Sequence, residues 1–258
     1  MAYPWQTVPP AGRVFTTTRW SVLQACGGVD PVLARQALEE LCQSYWYPIY
    51  ASVRHAGRTP EDARDLTQEF FAKILREGWL RQVDPSRGRF RFYLLAALRR
   101  FLCDQHRRRW TLRRGRGYQV LSLDLAAAES RFSLEPATTE SPETIYEQKW
   151  AATVIRHALE QLGVELSAQG RTGLFECFQA AESGEPGAGF YEEAATRLGK
   201  TTGALHTALS RLRERLRTLV REEVARTVAQ RTESEIDEEI RHLRRVVARP
   251  GAVGAAAW

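Results

Sequence analysis

Five leucines near the C-terminal end constrain this chain more than any other feature. Leu205, Leu209, Leu212, Leu216 and Leu219 fall at offsets of four, seven, eleven and fourteen, which is one stripe of an α-helix and no face of a strand. A shorter apolar face, Tyr191, Ala194, Ala195 and Leu198, comes just before them. Gly199 stops that first helix, and Thr201-Thr202 can cap the second. The other face of the second helix carries Thr202, His206, Arg213 and Arg217, with Ser210 and Arg211 alongside. A short helix, a glycine turn and a longer helix with a basic outer face form a helix-turn-helix, whose second helix fits a major groove. An ordinary helical hairpin with solvated arginines has the same pattern, so spacing alone leaves both readings open.

The rest of the chain is helical by the same test. Pro31 follows Asp30 as a first helical residue follows its cap, and Leu33, Ala37, Leu38, Leu41 and Tyr45 keep a helical period. A second helix opens at Thr59-Pro60-Glu61-Asp62, with Ala63, Leu66, Phe70 and Ile74 as its stripe and Gly78 at its end. A third runs from about Phe90 to Arg109. Thr111 to Gly117 is basic, and Leu121 to Glu147 is acidic and contains Pro136 and Pro142, which reads as an extended linker. Periodicity returns from about Pro142, and a last charged helix spans about Glu233 to Val247. No strand pair is visible. The expected fold is all-α, in two helical domains joined by an acidic linker. Its divisions are an N-terminal extension at 1–30, a helical domain at 31–110, a linker at 111–142, a helix-turn-helix domain at 143–230 and a C-terminal helix and tail at 231–258.

Charge and its placement narrow the function. Only Lys73, Lys149 and Lys200 are lysines, so nearly all of the 37 basic residues are arginine, against 31 acids. Arginine forks onto phosphates and base edges, so such a chain favours an anionic polymer as partner. The arginines concentrate between Arg87 and Arg116, where Asp104 is the sole acid and Phe90, Phe92, Tyr93, Phe101 and Trp110 are interleaved. Basic groups neutralise phosphates, and exposed rings stack on unpaired bases. Phe101 lies within the apolar stripe and is expected in the core. Asp62, Asp65 and Glu69 share a helical face opposite Leu66 and Phe70, with Gln68 beside them. Cys26, Cys42, Cys103 and Cys177 are scattered, without metal spacing, and read as buried thiols. No run approaches a membrane span and the start lacks a signal-peptide core, so a soluble, cytoplasmic protein without membrane attachment is expected.

Together these stretches resemble a bacterial RNA polymerase sigma factor of the sigma-70 family, extracytoplasmic-function (ECF) type. Pro60-Glu-Asp-Ala-Arg-Asp-Leu-Thr-Gln-Glu-Phe-Phe-Ala-Lys-Ile-Leu75 is similar to the family's region 2.2. Phe90-Arg-Phe-Tyr-Leu94 through Asp104 to Arg107-Arg108 resembles regions 2.3 and 2.4. Tyr191 to Ala195, Leu198-Gly199 and Leu205 to Leu216 resemble region 4. Thr18-Arg19-Trp20-Ser21 and the stretch near Val224 are similar to planctomycete-type ECF-like factors.

The resemblance implies a region 2-like domain at 31–110 and a region 4-like domain at 143–230. It implies that Asp62, Asp65, Gln68 and Glu69 bind core RNA polymerase at the β′ clamp helices, with the β subunit as a further partner surface. It implies that Arg89, Arg91, Tyr93, Arg99, Arg100 and Arg107 hold the melted −10 promoter strand. It implies that Thr201, Thr202, His206, Thr207, Ser210, Arg211 and Arg213 read the −35 duplex. The acidic linker would thread toward the polymerase active centre, and an anti-sigma factor is a further candidate partner. Arg100, Leu98 and Leu212 depart from the family's usual Asn, Ala and Ala. No catalytic residue, cofactor or metal is expected, and the chain reads as a non-enzyme. The alternatives are a stand-alone helix-turn-helix regulator and, more remotely, a metal-dependent nuclease built on Asp62, Asp65 and Glu69.

Overall fold

The computed structural model of the chain describes residues 31–77, 79, 89–109, 129, 132–133, 140–183, 187–228 and 232–248, with the side chains of 31–41, 43, 75 and 106–109 outside that set. All regular structure among the described residues is helical, so the fold is all-α. The helices are α1 (Pro31–His55), α2 (Pro60–Arg76), α3 (Phe90–Arg109), α4 (Pro142–Ala168), α5 (Thr172–Glu182), α6 (Phe190–Arg197), α7 (Thr202–Thr227) and α8 (Glu233–Val247). None of them is long and apolar enough to cross a membrane.

Local chemistry sets the helix starts. The hydroxyls of Thr59, Ser141, Thr201 and Thr232 each accept a backbone N–H three residues on, at 3.2, 3.2, 3.2 and 3.3 Å. Such a cap is worth about 1 kcal/mol. Pro60 and Pro142 open α2 and α4, where a missing N–H costs nothing.

Burial holds the helices together, and α4 is the shared spine. It packs along α1 and also contacts α5, α7 and α8, while α1 packs on α2 and α6 on α7. Ile145, Tyr146, Trp150, Val154, Ala158, Leu162 and Leu166 of α4 are buried. They join the cores of both halves of the chain into one apolar cluster. Gly163 lets α5 pack close against α4, since a Cβ there would stand 2.8 Å from the Phe175 ring. The stripes Ala63–Leu66–Phe70–Ile74 and Leu205–Leu209–Leu212–Leu216–Leu219 are buried throughout, and Phe101 is in the core.

The structure adds two features to what periodicity predicts and corrects a third. α1 runs on through Pro48 to His55, carrying Ile49, Tyr50, Ala51 and Val53 into the core. The helical stretch that returns at Pro142 divides into two helices, α4 and α5, with a break at Gln169–Arg171 that periodicity does not mark. Cys42 and Cys177 are buried, but Cys103 is exposed, because it falls on the outer side of α3. Cys26, Thr18-Arg19-Trp20-Ser21, Gly78, Trp110 and the tail from Pro250 lie outside the described residues.

Of the expected linker, Glu129, Phe132 and Ser133 are described, with Glu140 to Pro142 at its end. Glu129 is held on α1 by Arg54, through Nε at 3.1 Å and Nη2 at 2.9 Å, and by the Tyr50 hydroxyl. Phe132 lies under the Arg54 guanidinium, 4.6 Å from ring centre, and edges onto His55. Burial pushes the Glu129 carboxyl up, but the Arg54 and Tyr50 donors outweigh it and leave it below its usual range.

Candidate nucleic-acid interface

The basic surface is set by α3. Its buried side is Phe90, Leu94, Leu95, Ala97, Leu98 and Phe101. The helical period therefore turns Phe92, Ala96, Arg99 and Arg100 outward, and all four are exposed. Phe92 is one of the few large apolar side chains on the described surface, at 41% exposure. With Leu95, Ala96, Arg99, Glu143, Thr144 and Glu147 it lines an open groove of about 360 Å³. An exposed ring beside two exposed guanidinium groups can stack a base and neutralise its phosphate. Arg99 donates from Nε to Glu143 at 2.9 Å across a solvated gap, a pair that a nucleic acid can exchange at little cost. The sequence places Phe92 among the interleaved rings without setting it apart from them; its phase against Phe90 and Leu94 is the signal that does.

The other residues expected on this face are placed differently. Tyr93 is half-buried, stacked on Phe90 at 6.2 Å, and its hydroxyl donates to the Trp79 carbonyl at 3.3 Å. Burial raises its phenol above the ordinary range. Arg91 is buried, 2% exposed, and Arg89 is half-buried. Both pair with α8: Arg89 Nε meets Glu239 at 2.7 Å, and Arg91 Nη1 is bonded to the same carboxylate. The Arg91 guanidinium lies 4.3 Å from the ring centres of both Phe92 and Trp150. Neither arginine is a free surface cation here. Arg107 is within α3, with its side chain outside the described set.

A second face lies on α7. The turn before it is a Schellman arrangement: Gly199 sits at φ 62° and donates to Thr196, and Lys200 donates to Ala195 at 2.9 Å. A β-carbon at that φ is strained, which is why glycine stands there. Thr201 then caps α7 as expected. With the leucine ladder buried, Gly203, Thr207, Ser210 and Glu214 form the outward line, flanked by exposed His206, Arg211 and Arg217. Thr202 is half-buried. The His206 ring packs on Tyr191 of α6 at 4.4 Å, which fixes where it points. The Thr207 hydroxyl turns back to the Gly203 carbonyl at 3.0 Å. Arg213 is drawn to the flank, where its Nε donates to Glu182 of α5 at 2.8 Å. Arg215 forks onto Glu165 of α4 at 2.6 and 2.9 Å, and this bond holds the Glu165 carboxyl below its usual range.

The acidic face lies on α2. Asp65 is exposed, Asp62 and Glu69 are half-buried, and Glu69 accepts from Gln105 of α3. Gln68 Nε2 is buried and finds no acceptor among the described residues. No group of three metal-ligating side chains occurs among the described residues, and Asp62, Asp65 and Glu69 do not converge on one point.

Comparison with known proteins bears on the first half of this arrangement. No curated protein and no solved structure matches the chain. Residues 37–111, from within α1 to just past α3, match the family model Sigma-70 region 2, and this match supports a sigma factor of the sigma-70 family with a role in promoter recognition by RNA polymerase.

Proposed function

We propose that the chain is an ECF-type sigma factor, of the planctomycete-like group, which binds core RNA polymerase and directs it to promoters. In this reading the exposed side of α2, centred on Asp65, docks on the β′ clamp helices. The outer side of α3, with Phe92, Arg99 and Arg100, receives the unpaired −10 strand. The outward line of α7 reads the −35 duplex. The reading is of a non-enzymatic factor that works in the cytoplasm, with an anti-sigma factor as a further candidate partner. The observation that carries it is the coincidence of the region 2 match at 37–111 with three helices, α1–α3, that bear an acidic face on α2 and an Arg-aromatic face on α3. Unpaired bases offer their faces and edges, and a surface of rings and guanidinium groups suits them better than it suits duplex DNA.

The test is transcription in vitro from a genomic fragment library, with purified bacterial core polymerase and the full chain. Discrete start sites that depend on the chain are expected. Failure to bind core enzyme, with retained duplex binding, would overturn the reading in favour of a stand-alone helix-turn-helix regulator.

A further inference from the structure

The C-terminal helix α8 has no part in that reading, yet it closes over the start of α3. Glu239 is fully buried, at 0% exposure, between Arg89 and Arg91. Glu238 adds a contact to Arg89 at 3.6 Å, and His242 meets Glu147 of α4 at 2.7 Å. Ile236, Leu243, Val246 and Val247 bury the apolar edge of α8. Its outer edge is held to α7 by Arg221, which bonds both Glu233 and Asp237 in solvent.

Two neighbouring arginines, one of them stacked between Phe92 and Trp150, make a seat for an oxyanion. Carboxylate and phosphate are interchangeable acceptors for guanidinium groups, and here each arginine brings one nitrogen to one oxygen of Glu239. Glu239 therefore occupies a place that a backbone phosphate would otherwise fill, and the two cannot share it. A buried ion pair is a weak way to hold a helix, since an apolar residue of similar size would serve stability as well. It is a good way to hold one that a competing anion must be able to displace. α8 follows α7 with only residues 228–232 between them, so the competitor is always present at high local concentration.

We propose that α8 is a built-in lock, in which Glu239 occupies the Arg89–Arg91 seat and withholds this end of α3 from promoter phosphates until α8 is displaced. The inference rests on reading α3 as the DNA face. By linkage, DNA on α3 loosens α8 to the same extent that α8 weakens DNA binding.

The test uses the full chain and a fluorescein-labelled, mixed-sequence 20-nucleotide single strand, titrated by anisotropy between about 50 and 200 mM KCl. Hydrogen exchange of α8 amides is followed in parallel. Glu239→Gln removes the lock's charge. Arg221→Glu loosens α8 from outside and leaves every buried residue in place, so it covers the case in which Glu239→Gln fails to fold. Glu176→Gln, exposed on α5, controls for net charge. Both Glu239→Gln and Arg221→Glu should lose α8 protection and bind about tenfold more tightly. For Arg221→Glu this gain would come despite added negative charge. The slope of log affinity against log salt should steepen by about 1.4, or about 0.7 for each arginine released. Adding Arg89→Ala should take back about half of that.

Lost α8 protection with affinity and slope like those of the wild type would overturn the lock alone. Unchanged protection in both variants would overturn it too. No binding of the strand by any variant would overturn the reading of α3 as a DNA face, and the lock with it.

Discussion

The division of labour along α7 gives the sharpest expectation. Thr202 and Ser210 are eight residues apart, or about 12 Å of helix at 1.5 Å per residue. That matches the width of a B-DNA major groove, about 12 Å, and spans three to four base pairs. His206 and Arg211 lie within or beside this window and are exposed, while Arg217 lies about 9 Å further along the axis. His206→Ala or Arg211→Ala should therefore change which −35 sequence is preferred. The cost on the best site should be about 1–3 kcal/mol, a factor of roughly 5 to 150. Arg217→Ala should weaken all sequences alike and reduce the salt slope by about 0.9, which is roughly 3.5-fold in affinity between 50 and 200 mM salt.

Arg213 does not belong with Arg217, although the sequence groups them. Its guanidinium is engaged by Glu182, a carboxylate only 9% exposed. Arg213→Ala should act mainly on stability and leave the salt slope nearly unchanged. Leu209 is fully buried, so Leu209→Ala should destabilise by about 2–5 kcal/mol without altering preference. The assay is selection from a randomised −35 duplex pool with the full chain, together with affinity at several salt concentrations and denaturation curves. Unchanged sequence preference in both His206→Ala and Arg211→Ala would show that another face of α7 enters the groove.

Three further outcomes are expected. Asp65→Lys, alone or with Glu69→Lys, should abolish retention on immobilised core polymerase at unchanged helicity; equal retention would remove α2 from the interface. Phe92→Ala, or Arg99→Ala with Arg100→Ala, should spare duplex binding but lower permanganate reactivity of thymines near −10, and a pre-melted template should rescue them; undiminished reactivity would exclude this surface from melting. Finally, His157 of α4 is buried and accepts from Arg156 at 3.1 Å, and burial, then the charges of Arg156 and Arg226, hold its pKa well below the usual value. A histidine that stays neutral when folded but protonates when unfolded costs stability only as pH falls below about 6.5, by up to about 1.4 kcal/mol per pH unit. Denaturant midpoints of wild type and His157→Gln should converge between pH 7.5 and 5.5, and parallel pH profiles would refute this.

What the sequence makes legible is whatever repeats locally. The leucine ladder of α7, the stripe of α2 and the Thr–Pro starts are patterns of one helix with itself, and each has the expected place in the fold. Pro48 interrupts such a pattern, yet α1 continues, because Ile49, Tyr50 and Val53 gain more by burial against the core than the proline costs in one hydrogen bond. The site residues divide the same way. Asp65, Arg99, Arg100, His206 and Arg211 are exposed because their own helices turn them outward. Arg213 lies on the flank of α7 and is taken by Glu182, 31 positions away in the chain, whereas Arg91 shares the buried phase of Leu94, Leu95 and Leu98, and its charge is met there by Glu239, 148 positions away. Periodicity reports which way a side chain faces, and it is silent on which distant charge it meets there. In an arginine-rich chain this matters more than usual, since every guanidinium looks alike in the sequence. Arg100, Arg211 and Arg217 stay exposed, while Arg213 is taken by Glu182 of α5, Arg215 by Glu165 of α4, and Arg89 and Arg91 by Glu239 of α8. The count of cations therefore overstates the DNA surface, and the positions of Glu182 and Glu239 define its edges.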